Sequence, residues 1–224
     1  MKTFAASLAS AAVALTLASP ALADTVTFPG YLHGSQSVTF TVPNQSTPGT
    51  TTNTVSAGGF ATVVNGGTTF ETYCVDLYQT LSFGTTYNDY TNVGSGHVFA
   101  NSHAYADLGR LYGVAGSILD AVHEAAFQMA VWEIAYETSG TYGLGTGAAT
   151  FSASAGATTL ATGWLASIAN APAGPAIGVF ESRSHQDVIY APVPEPETYL
   201  MMVIGLAGMT AMTRRRKAAA ANRG

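Results

Sequence analysis

Cys74 is the one cysteine among 224 residues, and it stands in the segment Tyr73-Cys74-Val75-Asp76. A single thiol forms no internal disulfide, and outside the cytoplasm it is open to oxidation and mispairing. The two ends of this chain read as an export address. Such a thiol must therefore be buried, paired with another molecule or chemically masked. Burial is the plain alternative, because a lone Cys on a strand face behaves as a small hydrophobe. Further on, Phe127-Gln128-Met129-Ala130-Val131-Trp132-Glu133 offers a carboxamide and an indole one helical turn apart on the same side. Taken alone, a Gln in so apolar a helix does no more than satisfy a polar group of the core.

Other constellations are thinner. Asp120, His123 and Glu124 share a helix, but His123-Glu124-Ala125-Ala126-Phe127 lacks the second His of a zinc-protease helix. His97 and His103 add imidazoles upstream without a ligand spacing. Asp76, Asp89 and Asp107 form no spaced calcium loop, so no metal or cofactor is expected. There is no G-x-S-x-G elbow, no Ser/His/Asp order and no phosphate-loop lysine, so no catalytic residue is assigned and an enzyme is not expected. Tyr73, Tyr78, Tyr87, Tyr90, Tyr105, Tyr112 and Tyr142 could line a sugar-binding surface or simply fill strands and loops. The Thr-rich stretches are too irregular for a flat ice-binding array.

The elements that must position Cys74 and Gln128 follow from periodicity. Residues 36–42 alternate, with Val38, Phe40 and Val42 on one face of a half-buried strand. Residues 43–53 read as a Thr-rich loop. Residues 60–64 and 68–75 flank Asn65-Gly66-Gly67 as a hairpin, with Cys74 on the face of Phe70 and Thr72. Residues 81–98 read as irregular. Ser102 is expected to cap a short helix over 103–112 that Gly113 ends. Ser117, with Asp120 three residues on, is expected to open a helix that runs through Glu137 and is apolar around most of its circumference. Residues 141–157 read as a loop, 158–170 as a helix with Leu160, Trp164, Leu165 and Ile168 inward, and 177–190 as one or two closing strands. Strands and helices occur together in one domain, so the fold class is α+β.

This ectodomain, residues 24–190, lies between two addresses. Residues 1–23 read as a cleaved signal peptide: Lys2, an apolar stretch from Phe4 to Ala18, and the A-x-A site Ala21-Leu22-Ala23. In the tail, 191–224, Val193-Pro194-Glu195-Pro196 is an extended motif that a protease can grip. The apolar stretch 198–213, 16 residues long, follows, and Arg214-Arg215-Arg216-Lys217 act as a basic stop. Sixteen residues make about 24 Å of helix. That is marginal for a bilayer core of about 30 Å unless arginines reach outward. The basic stop keeps to the cytoplasm, which places the ectodomain in the periplasm while the tail helix holds it in the inner membrane. Signal peptidase is the expected processing enzyme at the front. From Asp24 to Tyr190 only Arg110 and Arg183 are basic, against eleven acids, and no lysine occurs. A net of −9 (two minus eleven) excludes nucleic acid as a partner, because phosphate binding needs a basic patch.

The tail resembles the PEP-CTERM sorting signal of Gram-negative bacteria, through Val193-Pro194-Glu195-Pro196, the hydrophobic run and the Arg214–Lys217 cluster. The resemblance implies cutting by an exosortase, then residence at the cell surface or in the extracellular matrix with exopolysaccharide or biofilm. The ectodomain resembles the thioester domains of bacterial surface adhesins, which carry an aromatic-Cys-x-Asp segment and a Gln-x-Ala-x-Trp helix. Tyr73, Cys74 and Asp76 match the first, and Gln128, Ala130 and Trp132 the second. That likeness implies a β-sandwich or barrel-like sheet with a packed helical insertion, and an internal thioester, with Cys74 giving the sulfur, Gln128 the acyl carbon and Trp132 shielding the bond. A partner's amine or hydroxyl would then form a covalent link. The chain departs from the family at Phe127, where a Thr is common. The absence of ectodomain lysine suits such a bond, since it removes internal amines. The expected function is covalent attachment to a surface nucleophile, with a non-covalent structural component of the exopolysaccharide matrix as the alternative.

Overall fold

The computed structural model describes residues 23–191. The expected signal peptide lies outside them except for Ala23, and the sorting tail lies outside them except for Ala191. No helix among the described residues is long and apolar enough to cross a membrane.

In chain order the elements are β1 (Asp24–Tyr31), β2 (Gln36–Pro43), β3 (Thr50–Ala57), β4 (Phe60–Val64), β5 (Phe70–Cys74), β6 (Thr86–Gly94), α1 (Ala104–Ala115), α2 (Ala121–Tyr136), β7 (Thr150–Ser152), α3 (Ala155–Ile168), β8 (Gly178–Glu181) and β9 (Val188–Tyr190). Six strands close an antiparallel barrel in the order β1-β4-β5-β9-β8-β6, and a separate sheet runs β3-β2-β7. The three helices and β7 enter between β6 and β8. This is α+β, as the mixture of strands and helices predicts, and barrel-like with a helical insertion, as the resemblance implies.

The barrel closes over aromatic side chains. Phe28 sits with Phe60 and Tyr90 at ring distances of 5.7 Å each, and all three are buried. Burying each such ring contributes roughly 2–3 kcal/mol. The hairpin of β4 and β5 turns through Asn65 (φ 50°) and Gly66 (φ 70°). Two successive left-handed residues match the right-handed twist of the strands, which is why Asn-Gly stands there.

Five readings need correction. Residues 50–57 are a strand, paired with β2 from Gln36↔Ala57 to Pro43↔Thr50. Its exposed face carries hydroxyl pairs, Thr39–Thr54 and Thr41–Thr52 at 2.8 Å each, in place of an apolar stripe. Residues 86–94, expected to be irregular, form barrel strand β6. Ser102 does not cap α1; His103 holds the cap position, and the helix passes Gly113 and ends before Gly116 at φ 65°. The long helix opens at Asp120 rather than Ser117. The Asp120 carboxylate accepts from the Val122 and His123 amides at 2.9 and 3.0 Å. Helix α3 likewise begins at Ala155, capped by Ser154, inside the expected loop.

Helix α2 packs against α1 and α3 on one side and against β2, β3, β5 and β7 on the other. From Glu124 to Ala135 every residue is buried, so its apolar circumference has neighbours all round.

Candidate functional site

The site is built where α2 lies across the end of β5. At Cys74 the strand has partners on one edge only. It pairs with β9 through Tyr73↔Ile189 and Cys74↔Val188, and the Val75 amide donates to the Asp187 carbonyl at 2.9 Å. Pairing with β4 ends at Phe60↔Thr72, because the chain turns away at Gly58 and Gly59. Backbone groups alternate along a strand, so the Cys74 N–H and C=O point to that vacated edge. The Gln128 carboxamide fills it. Its Oε1 accepts from the Cys74 amide at 3.0 Å, and its Nε2 donates to the Cys74 carbonyl at 2.7 Å. Both residues are about 1% exposed.

Glu124, Gln128, Trp132 and Tyr136 stand four residues apart on α2, so they form one stripe facing this strand. The Glu124 carboxylate accepts from the Tyr73 hydroxyl at 2.9 Å and the Gly59 amide at 2.7 Å. Tyr136 accepts from the Leu77 amide at 3.0 Å. The stripe holds the backbone at Gly59, Cys74 and Leu77. Glu124 and Tyr136 escape the motif-based assignment. Their signal is the four-residue spacing of polar and aromatic side chains in an otherwise aliphatic helix.

The Cys74 thiol donates to the Asp76 carbonyl at 3.0 Å. Burial pushes it up to about 12, while the Trp132 indole N–H beside it and the Asp76 backbone pull the other way. That indole N–H is buried and has no acceptor in hydrogen-bonding geometry. Cys74, Gln128 and Trp132 line one pocket of about 260 Å³, with Tyr31, Phe60 and Phe83 among its walls.

The remaining residues of the expected site part company. The Asp76 side chain turns to the Tyr78 amide at 2.8 Å, so only the backbone of Asp76 meets the thiol. Successive strand residues face opposite ways, so Tyr73 points away from Cys74. Phe127 follows Tyr73, with ring distances of 4.4 Å to Tyr73 and 4.8 Å to Tyr112. The residue in the family's Thr position therefore packs on the far side of the strand from the thiol.

The considered metal residues have separate partners. His123 pairs with Asp120 at 2.7 Å, His97 with Glu181 at 2.6 Å, and Glu124 with His33 at 2.8 Å. Asp89 holds Ser182 and His185, and Asp107 holds Arg110 and Tyr142. Of the seven tyrosines weighed for sugar contact, Tyr78 alone lines the Cys74 pocket.

Three acids keep their protons unusually well. Burial raises Asp187 to about 6 and Glu133 to about 7. Burial and the neighbouring Glu124 carboxylate raise Glu71. Each binds its proton more tightly folded than unfolded. The stability it contributes is complete below the unfolded value near 4 and is lost as pH rises through the folded one. The melting temperature is therefore expected to fall as pH rises from about 4 through about 8. Glu133→Gln is expected to flatten that slope in a thermal unfolding series.

With this geometry in place, comparison with known proteins adds two findings. Residues 192–217 match the PEP-CTERM protein-sorting motif, which indicates an exported, exosortase-sorted surface protein. Among solved structures, the thioester domain of the Staphylococcus aureus TIE protein is similar at 10% identity. That match covers 78% of this chain and 80% of that one, with a TM-score of 0.40. No curated protein sequence matches the chain.

Proposed function

We propose that the ectodomain attaches the exported protein covalently to a nucleophile through an acyl bond between Cys74 and Gln128. The observation that carries this reading is the pair of hydrogen bonds locking the Gln128 carboxamide onto the Cys74 backbone at 3.0 and 2.7 Å in a buried site. The Cys74 N–H lies on Oε1, where negative charge develops when sulfur attacks the carboxamide carbon. A backbone donor fixed there lowers the barrier in a dry site. In that step the C–N bond breaks and the nitrogen leaves as ammonia, taking the thiol proton. The bond is spent when an amine or hydroxyl attacks the same carbon. The C–S bond then breaks and sulfur recovers a proton. Each molecule reacts once, so the protein is a reagent and not an enzyme.

The sorting tail supports delivery to a setting where such a bond is useful. The segment 198–213 would hold the chain in the inner membrane until exosortase acts, and exopolysaccharide or another surface polymer would supply the nucleophile.

Intact mass of the purified full chain tests the reading. The expected mass is short by one ammonia, the thiol is inert to alkylation, and incubation with methylamine adds one amine. A full-mass chain with a thiol that labels on unfolding, and with no amine uptake, would leave a non-covalent matrix component in its place.

A further inference from the structure

We infer that the nucleophile this pocket admits is a hydroxyl of a neutral sugar ring rather than a lysine side chain; the inference rests on the acyl bond proposed above. None of the residues lining the pocket carries a formal charge. A lysine ammonium would find no carboxylate there, and at neutral pH only roughly one lysine side chain in a few thousand is uncharged. A hydroxyl enters with no charge to shed.

The walls suit a sugar. Phe83 and Tyr78 at the pocket are 42% and 38% exposed, so part of each ring is open to a ligand. Phe83 stands edge-on to Tyr31 at 4.8 Å and 5.7 Å from Phe60. Exposed aromatic faces of this kind take the apolar C–H face of a pyranose. Two buried polar atoms in the lining have no partner: the Trp132 Nε1 donor, on a side chain 3% exposed, and the Gln79 Oε1 acceptor. A sugar hydroxyl both accepts and donates, so one ring can satisfy both. The volume of about 260 Å³ is at the small end for ligand pockets and has room for a single ring.

The chemistry closes without a separate base. The hydroxyl oxygen attacks the acyl carbon, the C–S bond breaks, and the hydroxyl proton passes to the departing sulfur. The products are an ester at residue 128 and a free Cys74 thiol. A thiol held near 12 by burial leaves a thiolate basic enough to take that proton.

The test incubates the purified full chain with methyl α-D-glucopyranoside, Nα-acetyl-lysine or methylamine, and reads intact mass. The expected result is a hydroxylamine-labile glucoside adduct formed at least about tenfold faster than the lysine adduct. Gln79→Leu is expected to slow glucoside uptake about fivefold or more and to leave methylamine uptake within about twofold. Methylamine and lysine adducts without a glucoside ester would overturn the sugar assignment while the acyl bond stood. So would a variant that slows methylamine and glucoside alike. No adduct from any probe, with a full-mass chain, would remove the acyl bond itself.

Discussion

Gln128→Ala is expected to abolish amine uptake completely and, in addition, to destabilise the fold by about 2–4 kcal/mol. The two effects have different origins. The first follows from loss of the acyl carbon. The second follows from the Cys74 N–H, which loses the Gln128 Oε1 as its partner at the edge that β4 has vacated, and from the cavity left by a buried side chain. A buried backbone group left unpaired costs about 1–3 kcal/mol. Cys74→Ala separates the effects. It too abolishes amine uptake, and it restores the full mass, yet it keeps both hydrogen bonds to residue 128. Its cost to stability is expected to be no more than about 1–2 kcal/mol, the loss of one small buried group. Denaturant unfolding read alongside intact mass distinguishes the two variants. Equal stability loss in both would show that the carboxamide does not hold the strand end.

Glu124→Ala is expected to have the largest effect on stability, about 3–5 kcal/mol. The carboxylate is fully buried and accepts from three elements at once: the Gly59 amide, the Tyr73 hydroxyl and the His33 ring. Removing it orphans donors in the β3–β4 corner, in β5 and in the β1–β2 loop together. For a domain of this size each kcal/mol moves the melting temperature by about 2–4 °C, so a fall on the order of 10 °C is expected. Glu124→Gln retains one accepting oxygen and is expected to lose less. A melting temperature within a degree or two of wild type for Glu124→Ala would mean that these contacts contribute little.

Legibility in the sequence tracked how directly side-chain pattern reports packing. Val38, Phe40 and Val42 alternate because β2 buries one face, and α2 reads as apolar all round because helices and sheets cover it on every side. Strand β3 hides its nature: its sequence is TTTNTVSA, its side chains are mostly exposed, and what holds it is backbone pairing and threonine hydroxyls. Strand β6 hides for another reason. Its buried Tyr87 and Tyr90 are three apart, and its pairings carry register shifts at Asp24/Val26 and Asn92/Gly94, so no two-residue period survives. Gly113 misleads because a glycine inside a helix costs only about 1 kcal/mol, which packing outweighs. Ser117 misleads because Asp120, three residues on, makes the cap itself.

The Cys74 and Gln128 segments were legible as motifs, and the structure brings the two residues together. The rest of the α2 stripe was not read. Glu124 and Tyr136 look like an acid and an aromatic on a helix until the strand they face is known. Phe127 breaks the family pattern in sequence, yet in the fold it belongs to the Tyr73 and Tyr112 cluster. That placement explains how a bulky ring is accommodated one residue from the carboxamide.

The central claim meets its most direct test through the scarcity of basic residues. Between Asp24 and Tyr190 trypsin can cut only after Arg110 and Arg183, which puts Cys74 in one fragment and Gln128 in the next, 111–183. Digestion of the purified chain under reducing conditions is predicted to leave these two fragments joined, at their summed mass less one ammonia, and to release them when hydroxylamine is added. Two separate fragments of full mass before any hydroxylamine is added would contradict the account.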